Sequence, residues 1–146
     1  MSLAVDVATE GVRIPVARSR VAALAEGVLR RERVRDAMLS IAFVTDRRIA
    51  ALNREHLGHA GPTDVISFGF APARARGAVV GDVYIAPGVA RRHAREHGGG
   101  VREELMRCVV HGVLHVLGHD HPEDESRYGS AMWQRQERLL RLLGAA

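Results

Sequence analysis

Apolar and polar positions alternate over residues 12–16, where Arg13 and Pro15 separate Val12, Ile14 and Val16. That period of two predicts a short strand, and a proline without an N–H to donate places it at a sheet edge. The period then changes. Val21, Leu24, Ala25, Val28 and Leu29 recur every three or four positions and predict an amphipathic helix over about residues 17–32. Arg30, Arg31, Arg33 and Arg35 suit its C-terminal end and read as a solvated face. The apolar run at 39–44 has the length of a strand. Thr45 follows as the N-cap of a helix that turns Ile49 and Leu52 inward and ends near Arg54 and Glu55. Residues 56–64 are rich in turn formers and read as a loop.

Val65 to Phe68 reads as a second buried strand and residues 71–78 as an Arg/Ala/Pro loop. Residues 79–85 read as a third, central strand with a bulge at Gly81-Asp82. Pro87 opens a helix that runs to about His97, where Gly98, Gly99 and Gly100 break the chain. A helix over 101–117 carries Glu103 and Glu104 in its first turn, where negative charge is favoured. Met132, Leu139, Leu140 and Leu143 mark a closing helix from about Glu123. Helices alternating with strands imply an α/β fold: a single mixed, mostly parallel β-sheet with packed helices. At 146 residues the chain is expected to be one domain, 1–146, with a core that needs no disulfide.

Charge adds a partner class. The net charge is +4, the calculated pI is near 10.4, and every basic residue is arginine. Arginine forks onto phosphate, which fits RNA or DNA, although an arginine- and alanine-rich coding bias leaves the same mark. The lone Cys108 has no partner for an intrachain disulfide and reads as core filler. The N-terminal residues lack a basic start followed by an apolar run, and no stretch has the length of a membrane span. A soluble cytoplasmic protein without a membrane partner is the expectation.

The chemistry concentrates in His111-Gly112-Val113-Leu114-His115-Val116-Leu117-Gly118-His119-Asp120-His121. Histidines four apart on a helix share one face, roughly 5–6 Å apart at Cβ, so both rings can turn to one cation. Gly118 is suited to stop the helix, because glycine enters the left-handed conformation without a Cβ penalty. The returning chain offers His119 or His121 as a third nitrogen. Three protein ligands leave a tetrahedral ion one open position, the arrangement of a catalytic zinc. Asp120 is either a carboxylate partner for a ligating ring or a turn residue bonding its own backbone. Zinc peptidases of the His-Glu-x-x-His kind place a glutamate base beside the first ligand, and here that position is Gly112. A helical glycine costs about 1 kcal/mol against alanine, so close approach of a substrate or a strand is expected there.

The run His111 to His121 has the form His-Gly-x-Leu-His-x-x-Gly-x-Asp-His. With Leu52-Asn53, Pro62-Thr63-Asp64-Val65-Ile66-Ser67-Phe68, Gly81-Asp82-Val83 and Met132-Trp133-Gln134 to Leu140, in order and suitably spaced, it resembles the YbeY family. These are bacterial zinc-dependent single-strand endoribonucleases, also called rRNA maturation factors. The resemblance implies His111, His115 and His121 as ligands of one Zn2+, with His119 where the family usually has tyrosine. It implies a role in 16S rRNA 3′-end maturation and ribosome quality control, with single-stranded and ribosomal RNA and the small ribosomal subunit as partners. One position departs. The family usually has arginine where this chain has Leu57, after an aromatic residue that is here His56. Leucine cannot bind phosphate, so Arg54, one turn earlier, is the candidate substitute; other catalytic residues are left unassigned.

The expected chemistry is metal-assisted phosphodiester cleavage, with arginines neutralising the backbone. Aromatic residues for base stacking are few (Phe43, Phe68, Phe70, Tyr84, Tyr128 and Trp133), so recognition should be mostly electrostatic. Two rival readings remain: a non-catalytic ribosome-binding factor with a structural metal, and a zinc peptidase or amidase.

Overall fold

The computed structural model describes residues 2–70 and 78–144. Strands β1 (Leu3–Thr9), β2 (Ala37–Phe43), β3 (Val65–Phe70) and β4 (Val79–Ile85) form one sheet in the order β1-β2-β4-β3. β1 with β2 and β2 with β4 are parallel, and β3 runs antiparallel at the edge. The helices are α1 (Arg18–Arg31), α2 (Asp46–Leu52), α3 (Pro87–His97), α4 (Val101–Val116) and α5 (Ala131–Leu143). The fold is therefore α/β with a mixed, mostly parallel sheet, as the pattern implied.

Alternation along the strands sorts their side chains onto two faces. One face carries Leu39, Ile41, Phe43, Val83 and Ile85 into a core completed by Val21, Leu24, Val28 and Leu29 of α1 and by α4 and α5. The other face is smaller. Ala42, Ile66, Phe68 and Tyr84 meet Ile49 and Leu52 of α2 and Val89 of α3. α4 touches β3, β4, α1, α3 and α5, and it buries Leu105, Met106, Cys108, Val109, Val110, Val113 and Leu114. A helix that is apolar nearly all round belongs inside a core, which makes α4 the rigid mount for its few polar side chains.

Four expectations change. The strand expected at 12–16 lies instead at Leu3–Thr9, where Leu3, Val5 and Val7 face the core. Residues 12–16 follow a turn at Gly11 (φ 71°) and pack Val12, Ile14 and the buried Val16 on the same core without pairing. The bulge expected at Gly81-Asp82 is absent, because the β2–β4 register runs unbroken through Leu39↔Gly81 and Ser40↔Asp82. The last helix begins at Ala131 rather than near Glu123: Ser130 caps it by accepting from the Trp133 N–H at 3.2 Å. A short 3-10 turn, Glu125–Gly129, precedes it. The helix after Thr45 passes at Leu52 into a π-helical turn, Asn53–Leu57, closed by Gly58 at φ 69°. The loop expected over 71–78 lies, except for Ala78, outside the described residues.

Arg107 ties α4 to α5. Its Nε and Nη2 donate to both carboxylate oxygens of Glu137 at 2.9 and 3.0 Å, while Nη1 reaches Glu104 at 2.8 Å and Nη2 reaches Glu103 at 3.0 Å. Burial alone would raise the Glu137 carboxyl pKa, but the bonds from Arg107 and Gln136 hold it below its ordinary value. A depressed carboxyl contributes stability above its unfolded pKa and loses it as pH falls through the folded one. Arg107→Met should therefore cost about 2–3 kcal/mol at neutral pH. That deficit should shrink below about pH 4.5 as the orphaned carboxylates protonate. Urea melts at neutral pH and near pH 3 check this, and an equal deficit at both would refute it.

Candidate metal centre

His111 and His115 are one turn apart near the end of α4, on a face left open by its packing. The helix stops after Val116. Gly118, at φ 99°, lets its own N–H reach the His115 carbonyl at 3.0 Å and the His119 N–H reach the Leu114 carbonyl at 3.0 Å. Asp120 Oδ1 then accepts from the His121 N–H at 2.8 Å, and this turn brings His121 back over the helix. The three ring centroids stand 4.7, 5.0 and 5.0 Å apart, nearly an equilateral triangle. Each ring offers a nitrogen within 4.8 Å of the other two.

The orientation of the rings tests whether they fit a cation. His121 Nδ1 lies 2.7 Å from the Pro122 carbonyl, which only accepts, so Nδ1 carries the proton. His111 Nδ1 lies 2.6 Å from Gln136 Oε1. The Gln136 amide nitrogen donates to Glu137 Oε2 at 3.0 Å, so its carbonyl faces the ring and His111 Nδ1 is also protonated. In the neutral rings both Nε2 atoms then present lone pairs, and they face each other at 3.3 Å. Two lone pairs aimed at each other repel unless something positive lies between them. Two bonds of about 2.0–2.1 Å at a tetrahedral angle put their nitrogens about 3.3–3.4 Å apart, which matches. Burial holds the His111 pKa below the usual imidazole value. It pushes His115 down to about 4, with the neighbouring His111 and His121 adding to the effect. Neutral imidazoles are the form that binds metal.

The structure separates the remaining candidates. His119 turns away from the triangle: its Nε2 is 2.7 Å from Glu32 Oε1, and the other oxygen of Glu32 takes Arg135 at 2.7 and 2.9 Å. Asp120 is the turn residue. The ring partner is Gln136, a side chain that pattern reading passed over. It is 1% exposed and interrupts the inward stripe Met132, Leu139, Leu140 and Leu143 at helical spacing. A polar residue inside an apolar stripe was the available signal. Arg54 stands exposed on the π-helical turn, where Leu57 is also exposed. Gly112 meets the sheet, since a Cβ there would lie 2.5 Å from Val83 Cγ1 and 3.3 Å from Val65 Cγ2. Close approach of a strand explains that glycine. Any side chain at 112 would be driven into the sheet, so a glutamate base has no room there.

Gln136→Leu fills the same space without the carbonyl acceptor. It should leave the fold intact and weaken metal binding about 10–100-fold, the usual effect of losing such an orienting partner. A competition titration against a chelator measures this, and an unchanged affinity would show that Gln136 does not orient the ring.

Comparison with known proteins gives the family. Residues 6–144 match the family model described as Endoribonuclease YbeY. A protein of that name from Anaeromyxobacter dehalogenans is 45% identical over 114 residues, 76% of this chain; the chain spans 58% of that relative's length. Proteins so named from Acidothermus cellulolyticus and Thermobifida fusca are 36% and 37% identical over 94% of this chain and 90% and 92% of their own lengths. The fold matches a solution structure of a Thermotoga maritima protein, with a TM-score of 0.63 at 24% identity, over 97% of this chain and 89% of that one. With the family model covering nearly the whole sequence and the histidine triangle formed by its most distinctive run, the chain belongs to the YbeY family.

Proposed function

We propose that this protein is a cytoplasmic, zinc-dependent endoribonuclease that cleaves single-stranded RNA, acting in 16S rRNA 3′-end maturation and ribosome quality control on the small ribosomal subunit. The observation that carries the reading is the pair of Nε2 lone pairs facing each other at 3.3 Å beside a third imidazole. His111, His115 and His121 would hold the ion, and no fourth ligand-bearing side chain joins their group among the described residues. When bound, the cation supplies Lewis-acid polarisation of a phosphoryl oxygen.

The chain's own residues fix the rest. Gln136 and the Pro122 carbonyl lock two rings in the metal-binding tautomer. The loop after His121 adds Arg127, whose guanidinium lies 5.0 Å from the Tyr128 ring centre, and Tyr128 packs edge-on against Trp133 at 4.8 Å. A half-exposed tyrosine beside an arginine suits one base and one phosphate of a single strand. Phe43 is buried in the core, Phe68 and Tyr84 pack against the second cluster, and Phe70 and Tyr128 are the exposed aromatics among the described residues, so recognition stays mostly electrostatic. Exposed Arg54 takes the phosphate role that Leu57 cannot. An Arg54→Ala variant that cleaves as fast as wild type would remove it from that role. Gly112 counts against a peptidase, because a base at that position has no room. The loss of arginine at 57 is the one feature that favours a non-catalytic ribosome-binding factor.

The deciding experiment is cleavage of a labelled single-stranded RNA by zinc-loaded and chelator-stripped protein at rising salt. Cleavage should need the metal, and RNA affinity should fall linearly on a log–log plot against salt. Metal-independent cleavage would overturn the metal-dependent reading. Binding to the small subunit without any cleavage would favour the binding factor.

A further inference from the structure

α4 contributes to a second group of side chains with ligand chemistry. Glu104, Cys108, His111 and His115 fall at i, i+4, i+7 and i+11, so they share one face of the helix. His111 and His115 belong to the triangle, but Glu104 does not. Its carboxylate meets Asp64, just before β3, and His93 from α3, and the three groups offer ligand atoms within 4.8 Å of one another. His93 Nδ1 is 3.3 Å from Asp64 Oδ2. The buried Cys108 thiol lies 3.9 Å from the same oxygen.

The charges around this cluster do not balance. Arg107 is already shared among Glu103, Glu104 and Glu137. Within the cluster, Asp64 and Glu104 therefore have only His93 and a share of Arg107 against them, and Glu96 also acts on His93. Asp64 and Glu104 are mostly covered, whereas His93 is 39% exposed and leaves a way in. Half-buried carboxylates in excess, converging with an imidazole from three separate elements, have the donor set and the desolvation cost that a bound cation would relieve.

We propose that Asp64, His93 and Glu104 form a second divalent-cation site, about two helical turns along α4 from the histidine triangle. Glu104 and His111 are seven residues apart, roughly 10 Å along the axis. One imidazole nitrogen and two carboxylate oxygens make a harder donor set than three imidazoles, suited to Mn2+ as well as Zn2+. Binding there displaces the contact between His93 and Asp64 and neutralises the carboxylate excess.

Equilibrium dialysis of the full chain against Zn2+ tests this. Wild type should hold two equivalents. His93→Gln keeps a donor for Asp64 but lacks the basic ring nitrogen, and it should hold one. Loss of an equivalent in His93→Gln supports the site whether or not His111→Ala also loses one, so this inference and the triangle's role in binding metal fail separately. A single equivalent in wild type, unchanged in His93→Gln, overturns it. The 113Cd spectrum of cadmium-loaded wild type needs no variant: two resonances are expected, and one resonance overturns the proposal.

Discussion

His115→Ala is expected to abolish tight zinc binding at the triangle and to slow RNA cleavage by about 10²–10³-fold. The size follows from the several kcal/mol that a Lewis acid contributes to a phosphoryl transition state, at 1.36 kcal/mol per decade of rate. His115 is the sharpest choice of the three. Its ring is held neutral, with a pKa near 4 set mainly by burial, so losing it removes a ready ligand without stranding a charge. His111→Ala would also orphan the Gln136 carbonyl, mixing a stability cost with the loss of a ligand. The measurements are zinc content after dialysis and the single-turnover cleavage rate, with circular dichroism as the check on folding. Wild-type cleavage by a folded, zinc-depleted His115→Ala protein would end the metal-dependent reading.

Gly69→Val should be the most damaging single change on the sheet edge, at about 3 kcal/mol, or roughly 6–12 °C in Tm. The reason lies in one row of the sheet. Gly69 pairs with Gly81 across β3 and β4, and Gly81 pairs with Leu39 of β2. The end of α4 descends into the notch left by the two glycines. A Cβ on Gly69 would stand 2.8 Å from the Val116 carbonyl oxygen, whereas a Cβ on Gly81 would meet the methyls of the Val116 side chain at 2.5 and 2.8 Å. A side chain can turn aside, but a backbone carbonyl cannot move without the helix. Valine is a good strand former, so the loss isolates the clash. His115 immediately precedes Val116, so the same change should lower zinc affinity. Thermal unfolding with and without zinc measures both effects; unchanged stability would mean that the helix end is not seated in this notch.

The two predictions mark where reading the sequence succeeded and where it stopped. The helices α1, α3 and α4 were legible because their apolar positions repeat at 3.6, and α3 and α4 also carry proline or glycine at their ends. β2, β3 and β4 were legible as apolar runs. β1 was not: Ala4 and Ala8 blur its alternation, while Val12, Ile14 and Val16 imitate a strand although they pack on the core without pairing. Gly81 looked like a bulge because a lone glycine in a strand pattern carries no record of what lies above it. Gln136 looked like one more residue of an amphipathic helix, since its partner is 25 positions away in the chain.

The sequence by itself determined the α/β class, the helix that carries His111 and His115, and the return at Gly118. These are local properties, encoded in spacing and in backbone preferences a few residues apart. Only the tertiary structure decided that His119 turns away to Glu32, that Gln136 holds the first ring of the triangle, and that Gly69, Gly81 and Gly112 make way for α4. It alone brought Asp64 and His93 to Glu104. Each of those depends on which side chains meet across elements distant in the chain, and that is settled by packing, where burial and hydrogen bonding act between residues that no local pattern connects.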